Sequence, residues 1–208
     1  KNGELDVNIQ LKNFEKNSLS RSLELELIAA DGKTIFTNKA SVSIKGSGTT
    51  DYKYKKTIPN VNLWSAETPN LYTLLATLKD EKGAIIETTS YTLGFKSVEI
   101  KDGVLFVNGK YVYLKGTNLH EHHPVTGHAN TKDMLIKDLT LMKQNNLNAI
   151  RTSHYPQSTE FYKLCDKYGF YVIDEVNIES HGLGYGKENL AFNPEWDAMH
   201  LDRTYRAI

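Results

Sequence analysis

A single cysteine, Cys165, stands among the 208 residues, so no internal disulfide can brace the fold and apolar burial has to hold it. Charge of one sign is missing too: Lys and Arg number 25, Asp and Glu also 25, and neither kind forms a long run. That balance excludes the electrostatic footprint of a nucleic-acid or membrane-surface binder and suits a neutral substrate such as a sugar. No apolar stretch approaches the roughly 20 residues that span a bilayer. The polar start Lys1-Asn2-Gly3-Glu4 is not a signal peptide, so a soluble chain is expected, cytoplasmic or periplasmic/secreted. Internal repeats and low-complexity segments are also lacking. The chain begins directly in a strand pattern and ends in a helical one at Thr204-Tyr205-Arg206-Ala207-Ile208, the expectation for a piece of something larger.

What is present first is alternation. Leu5, Val7, Ile9 and Leu11 interleave with Asp6, Asn8, Gln10 and Lys12, the period-two pattern of a half-buried strand. Further strands are predicted over Leu23 to Ala29, Thr34 to Ile44, Tyr52 to Ile58, Tyr72 to Leu78 and Ala84 to Leu93. Turn signals separate them at Asp31-Gly32, Gly46-Ser47-Gly48 and Lys82-Gly83. Turns at about ten-residue spacing without helical periods predict an antiparallel β-sandwich.

Around Gly94 the pattern changes. Val98 to Ile100 and Val104 to Val107 predict a hairpin, and Tyr111 to Leu114 is the first run followed by a helix. Asn130 or Thr131 caps that helix, whose apolar Leu135, Leu139 and Met142 recur at i, i+4 and i+7. A second buried run, Leu147 to Ile150, follows. Ser158 caps the next helix, in which Phe161, Leu164, Cys165 and Tyr168 share a face and bury the thiol, and Gly169 stops it. Phe170 to Val176 is the third buried run. Such strand-helix units open either a doubly wound sheet or a (β/α)8 barrel. No glycine-rich phosphate loop follows Leu114, Ile150 or Val176, which weighs against a nucleotide-binding sheet.

Polar residues gather where these runs end. His120, His122 and His123 follow the first; their spacing is not that of a helical metal site, and read alone they describe a rim loop bonding to itself. Arg151 and His154 flank the end of the second. An arginine fork can orient a carboxylate in a bidentate pair, and a histidine can donate to a hydroxyl; a buried structural cation is an equal reading of Arg151. On the third, continued alternation puts Glu175, Asn177, Glu179 and His181 on one side, and the Glu179/His181 pair can hold one cation, magnesium or manganese before zinc. Asp174 and Glu175 are adjacent on a strand and point to opposite faces, so they do not form the facing carboxylate pair of a retaining glycosidase. Trp196 and Tyr185 can stack on a sugar, although a loop tryptophan before a helix is more often an anchor.

Three ordered segments carry a resemblance: Gly116-Thr117-Asn118-Leu119-His120-Glu121-His122-His123-Pro124, then Asn148 to Pro156 with Asp166 to Glu175, then Val176-Asn177-Ile178-Glu179-Ser180-His181-Gly182. Together they resemble glycoside hydrolase family 2, on the β-galactosidase side of it, from about Leu63 through His181 and more weakly before. Leu119 departs from the arginine of well-known members. The resemblance implies an immunoglobulin-like β-sandwich over residues 1–94, then the N-terminal part, about three β/α units, of a TIM barrel over 95–208. It implies that His120 and His154 contact the sugar and stabilise the transition state, with Arg151 and Asn118 in support. Glu179 and His181 match Mg²⁺ ligands. No residue of this chain matches the acid/base or nucleophilic glutamate, so these 208 residues alone are expected to be inactive. A galactoside or other carbohydrate is the implied partner, with β-glucuronidase as the alternative inside the family and a carbohydrate-binding or scaffold module outside it. Uncovered barrel strands make homo-oligomerisation possible.

Overall fold

The computed structural model describes residues 1–207; Ile208, placed in the last helical pattern by the sequence, lies outside them. It divides into two compact units, Lys1–Val112 and Tyr113–Ile208.

The first unit is all β. Strands β1 (Gly3–Lys12) and β4 (Thr49–Ile58) pair antiparallel, with Val7 opposite Tyr54. Strands β2 (Leu19–Ala29), β3 (Thr34–Ile44), β5 (Tyr72–Lys79) and β6 (Ile85–Leu93) form an antiparallel sheet in the order β3-β2-β5-β6. The predicted alternation turns one side chain in two inward. Leu5 and Ile58 of the small sheet meet Leu27, Tyr72, Leu74 and Phe95, and Leu11 meets Leu23, Val42 and Ile44. Leu25 and Leu27 have no exposed surface, and fully burying such a side chain is worth about 1.5–3 kcal/mol. Trp64 is buried, with its backbone N–H donated to Phe95 O at 2.8 Å; a Cβ on Gly94 would lie 2.8 Å from Trp64 Cβ, so only glycine lets the two segments approach there.

A small sheet, β7 (Val98–Lys101), β8 (Val104–Val107) and β9 (Lys110–Tyr111), completes the unit. Here one expectation is corrected. Tyr111 to Leu114 is not the first parallel strand: Tyr111 pairs back on Phe106, and the parallel strand β10 begins at Gly116. The cause is the Asn108-Gly109 turn, in which both residues have positive φ and the chain must fold back on itself.

In the second unit, β10 (Gly116–Leu119), β11 (Ala149–Thr152) and β12 (Tyr171–Ile173) form a parallel sheet in that order. Helix α1 (Lys132–Gln144) links the first two strands and α2 (Thr159–Tyr168) the next two. Thr131 Oγ1 caps α1 and Ser158 Oγ caps α2, and Gly169 ends α2 at φ 77°, a left-handed value that glycine adopts freely. Leu135, Leu139, Ile150, Phe161, Leu164, Cys165 and Phe170 form the core between helices and sheet, and Leu119 packs against it. Strand two starts at Ala149, two residues later than the sequence places it, because Asn148 first brackets the neighbouring segment: its side chain accepts from Lys115 N at 2.8 Å and donates to Tyr113 O at 3.0 Å. Strand three stops at Ile173, short of the expected Val176. Among the described residues it has no partner on its outer edge to extend the ladder. A helix α3 (Asp197–Ala207) closes the described chain, and none of the described helices is long and apolar enough to cross a membrane.

Candidate functional site

The carboxyl ends of β10, β11 and β12 bring the polar segments together at one rim, where parallel strand-helix folds place their chemistry. Glu175 is the centre of it. One carboxylate oxygen accepts from Arg151 Nε, and the other lies 2.8 Å from His154 Nδ1. Arg151 also donates from Nη1 to Asn118 Oδ1 at 3.3 Å, so a single guanidinium joins all three strand ends. Its fork is shared between two acceptors and does not grip one carboxylate in the bidentate manner the sequence suggests. With the His154 hydrogen bond as the chief cause and Arg151 adding to it, the Glu175 carboxyl is held below the usual carboxylate range. An ionised Glu175 accepts only, so the ring hydrogen of His154 sits on Nδ1. The 3.4 Å approach of Arg151 Nη2 to the same nitrogen is then a contact between two donors, not a hydrogen bond.

That tautomer leaves His154 Nε2 directed to the rim, where Glu179 Oε2 lies 3.8 Å away. Glu179 Oε1 in turn lies 2.6 Å from His181 Nδ1. Glu175 and Glu179 thus both face His154, but the alternation that also put Asn177 on that side does not hold: the strand has ended, Asn177 lines a cavity with Asp174 and Tyr162, and His181 opens a short 3-10 turn, His181–Leu183. His120 meets His154 edge-on with ring centroids 5.5 Å apart and stacks on His122 at 5.3 Å. Tyr155 OH accepts from Glu121 N at 3.1 Å and fixes the histidine loop over β11.

Asp174 turns the other way. It accepts from Thr152 Oγ1 at 2.9 Å and Tyr162 OH at 2.6 Å, which anchors α2 to the sheet; burial first, and this bond second, push the Tyr162 hydroxyl up to about 12. The two adjacent acids therefore have separate partners. All of His120, His154, Arg151, Asn118, Glu179 and His181 lie at this rim. Sequence reasoning missed Glu175 as the hub and Tyr155 as the brace of the loop. The expectation that Glu175 and Glu179 share a side is the signal that could have found the first. Trp196 lies against His200 at 6.3 Å, and exposed Tyr185 stacks on His181 at 6.4 Å.

For a divalent cation, the donors present are the Glu179 carboxylate and the His181 imidazole, already within bonding distance of each other. No group of three or more His, Cys, Asp or Glu suited to a metal occurs among the described residues. The pair suits two positions of an octahedral shell, and further oxygen ligands have to come from elsewhere.

The family model described as "Glycosyl hydrolases family 2" matches residues 1–96, and the one described as "Glycosyl hydrolases family 2, TIM barrel domain" matches residues 98–208. The chain belongs to glycosyl hydrolases family 2. It is an immunoglobulin-like domain of that family followed by the start of its TIM barrel domain, mostly β. Relatives in the family include a β-galactosidase of Priestia megaterium, 41% identical over 209 residues, covering 97% of this chain and 20% of the relative. A β-galactosidase of Vibrio vulnificus is 49% identical over 145 residues, covering 70% of this chain and 14% of the relative. The chain thus spans about a fifth or less of the length of these relatives. Among solved structures, the Bacteroides uniformis β-glucuronidase is similar with a TM-score of 0.79 at 28% identity, over 89% of this chain and 23% of that one. A putative β-galactosidase from Bacteroides fragilis is similar with a TM-score of 0.80 at 25% identity, over 85% of this chain and 26% of that one.

Proposed function

We propose that this chain supplies the sugar-binding rim of a retaining exo-β-galactosidase, with the sandwich over residues 1–94 and the barrel portion over 95–208. The observation that carries the reading is the run Asn118–Arg151–Glu175–His154–Glu179–His181, which holds donors and acceptors at fixed places around one open rim. Identity of 41–49% with β-galactosidases supports galactose as the sugar.

In this reading the ionised Glu175 is a positioning residue. It fixes the tautomer and tilt of His154, whose Nε2 then meets a ring hydroxyl of the terminal sugar. His120, held edge-on against His154, contacts the same sugar and favours the flattened, positively charged ring of the oxocarbenium-like transition state. Arg151 and Asn118 keep Glu175 in place. Glu179 and His181 would hold Mg²⁺, which would supply a fixed positive charge at this rim when bound. Neither catalytic carboxylate is assigned to residues 1–208. Asp174 and Glu175 face apart and each is already engaged, so positioning groups alone cannot protonate and displace a leaving group. The partner is a terminal β-galactoside, with no nucleic acid or membrane, and homo-oligomers are compatible with it.

β-Glucuronidase is the second reading, favoured by the structural likeness to the Bacteroides uniformis enzyme. The test is a panel of nitrophenyl β-galactoside, β-glucuronide and β-glucoside with the longer enzyme and with residues 1–208 alone. Galactoside preference in the longer enzyme, with no turnover by the 208 residues, is expected. Preference for glucuronide transfers the reading to the second enzyme, and turnover by the 208 residues that disappears in His154→Ala refutes the absence of catalytic groups.

A further inference from the structure

The loop between β10 and α1 carries His120 to the rim, and one of its own side chains holds it closed. Its turn, His123-Pro124-Val125-Thr126-Gly127, is shut by two backbone hydrogen bonds, His123 N to Gly127 O at 2.9 Å and Gly127 N to His123 O at 3.0 Å, with Gly127 at φ 65°. Pro124 has no N–H, so Val125 N and Thr126 N are the first amides inside the turn that need an acceptor. The His123 ring supplies one: its Nδ1 accepts from both, each at 3.2 Å. A ring nitrogen that accepts from N–H groups carries no hydrogen, so the ring hydrogen of His123 sits on Nε2. His154 is the opposite case, with its hydrogen on Nδ1 toward Glu175. Beyond the turn the chain comes back, and His128 meets His122 edge-on with ring centroids 4.9 Å apart. His122 stacks on His120 at 5.3 Å, and His120 meets His154 at 5.5 Å. The turn therefore stands at the far end of a row of four rings that finishes on His154.

We infer that His123 is a positioning residue for His120, acting through the turn that its Nδ1 holds together. The inference rests on the reading of His120 as a sugar contact and names what keeps that ring in place. Two anchors fix the loop. Tyr155 OH accepts from Glu121 N at 3.1 Å at the near end, and His123 braces the turn at the far end. If the ring acceptor is removed, the Val125 and Thr126 amides turn to water, the turn loosens and His128 no longer backs His122. The Glu121 end stays bound, so His120 keeps its neighbourhood but loses its fixed edge-on tilt against His154. The chemistry needed at position 123 is narrow: a side-chain acceptor close to its own backbone. Asparagine offers the same acceptor, as it does where its side chain bonds to backbone amides in tight turns, whereas leucine has similar bulk and no acceptor.

The test begins with residues 1–208 and needs no substrate. Nitrogen-15 spectra of the histidine rings are expected to show His123 with a bare Nδ1 and His154 with a bare Nε2. In His123→Leu, exchange of the Val125 and Thr126 amides is expected to quicken about tenfold, and the ring-proton contacts between His120 and His154 to disappear. His123→Asn is expected to restore both. In the longer enzyme, kcat of His123→Leu is expected to fall about tenfold with KM little changed, because His120 acts on the transition state; this is below the roughly hundredfold cost of a badly misplaced group, since Tyr155 still holds the loop. His123→Asn is expected to recover most of that loss. Activity is read on whichever nitrophenyl glycoside of the panel is turned over fastest, so a different preferred sugar overturns the galactoside reading and leaves this test standing. The inference is overturned if His123 carries its hydrogen on Nδ1, if the contacts between His120 and His154 survive in His123→Leu, or if His123→Asn loses as much kcat as His123→Leu.

Discussion

His154 Nδ1 lies 2.8 Å from one oxygen of Glu175 while Arg151 takes the other, so one group from β11 and one from the turn after it converge on a single carboxylate after β12. The folded protein therefore holds Glu175 ionised to lower pH than the unfolded chain does. Around and below its ordinary value of 4.5 the unfolded state binds more protons, so stability rises with pH in that window and is lost as pH falls through the lowered value. Urea midpoints of the native chain, measured between about pH 3 and pH 6, are expected to fall on acidification more steeply than those of Glu175→Gln. Parallel pH profiles for the two would remove Glu175 from the centre of the rim.

Gly116 begins β10 where a Cβ would lie 2.5 Å from the Ala149 carbonyl oxygen. That neighbour is backbone and cannot yield. Gly116→Ala is expected to cost about 1–3 kcal/mol, the range for overpacking, and to lift Asn118 away from Arg151. Denaturant unfolding reads the first effect, and faster exchange of the β10 and β11 amides reads the second. An unchanged midpoint would show that the two strands can separate freely.

Cys165 is 2% exposed, and burial, helped by the nearby Asp166, pushes its thiol up to about 12. Only on the order of one molecule in ten thousand then carries a thiolate at pH 8. A disulfide reagent is expected to label Cys165 in denaturant and to leave the folded chain essentially unreacted. Rapid labelling of the folded chain would place the α2 face outside the core.

In a longer enzyme containing this rim, Glu179→Gln is expected to raise the Mg²⁺ concentration for half-maximal activity by about 10–100-fold, the usual cost of weakening one metal-supporting group. Mn²⁺ binding followed by paramagnetic resonance reads the same site without turnover and is expected to weaken in parallel. Wild-type Mn²⁺ affinity in the variant would leave Glu179 and His181 as an ion pair of the loop and nothing more.

The alternation of Leu5 to Leu11 and of the strands after it, the caps Thr131 and Ser158 and the stop at Gly169 were all legible in the sequence, because each depends on residues within a turn or two of one another. So was the membership of the rim: His120, Arg151, His154, Glu179 and His181 stand where apolar runs end, and the family resemblance orders them. What the tertiary structure alone decided is who meets whom. Strand β10 starts at Gly116 because the Asn108-Gly109 turn claims Tyr111 for another sheet, and β11 takes its register from Asn148 bonded to residues 33 and 35 positions away. Glu175 became the hub and Arg151 divided its fork because three strand ends, separate in the sequence, arrived at one place. Periodicity shows which way a side chain faces along its own element. Parallel pairing joins elements many residues apart, and no local pattern encodes their register.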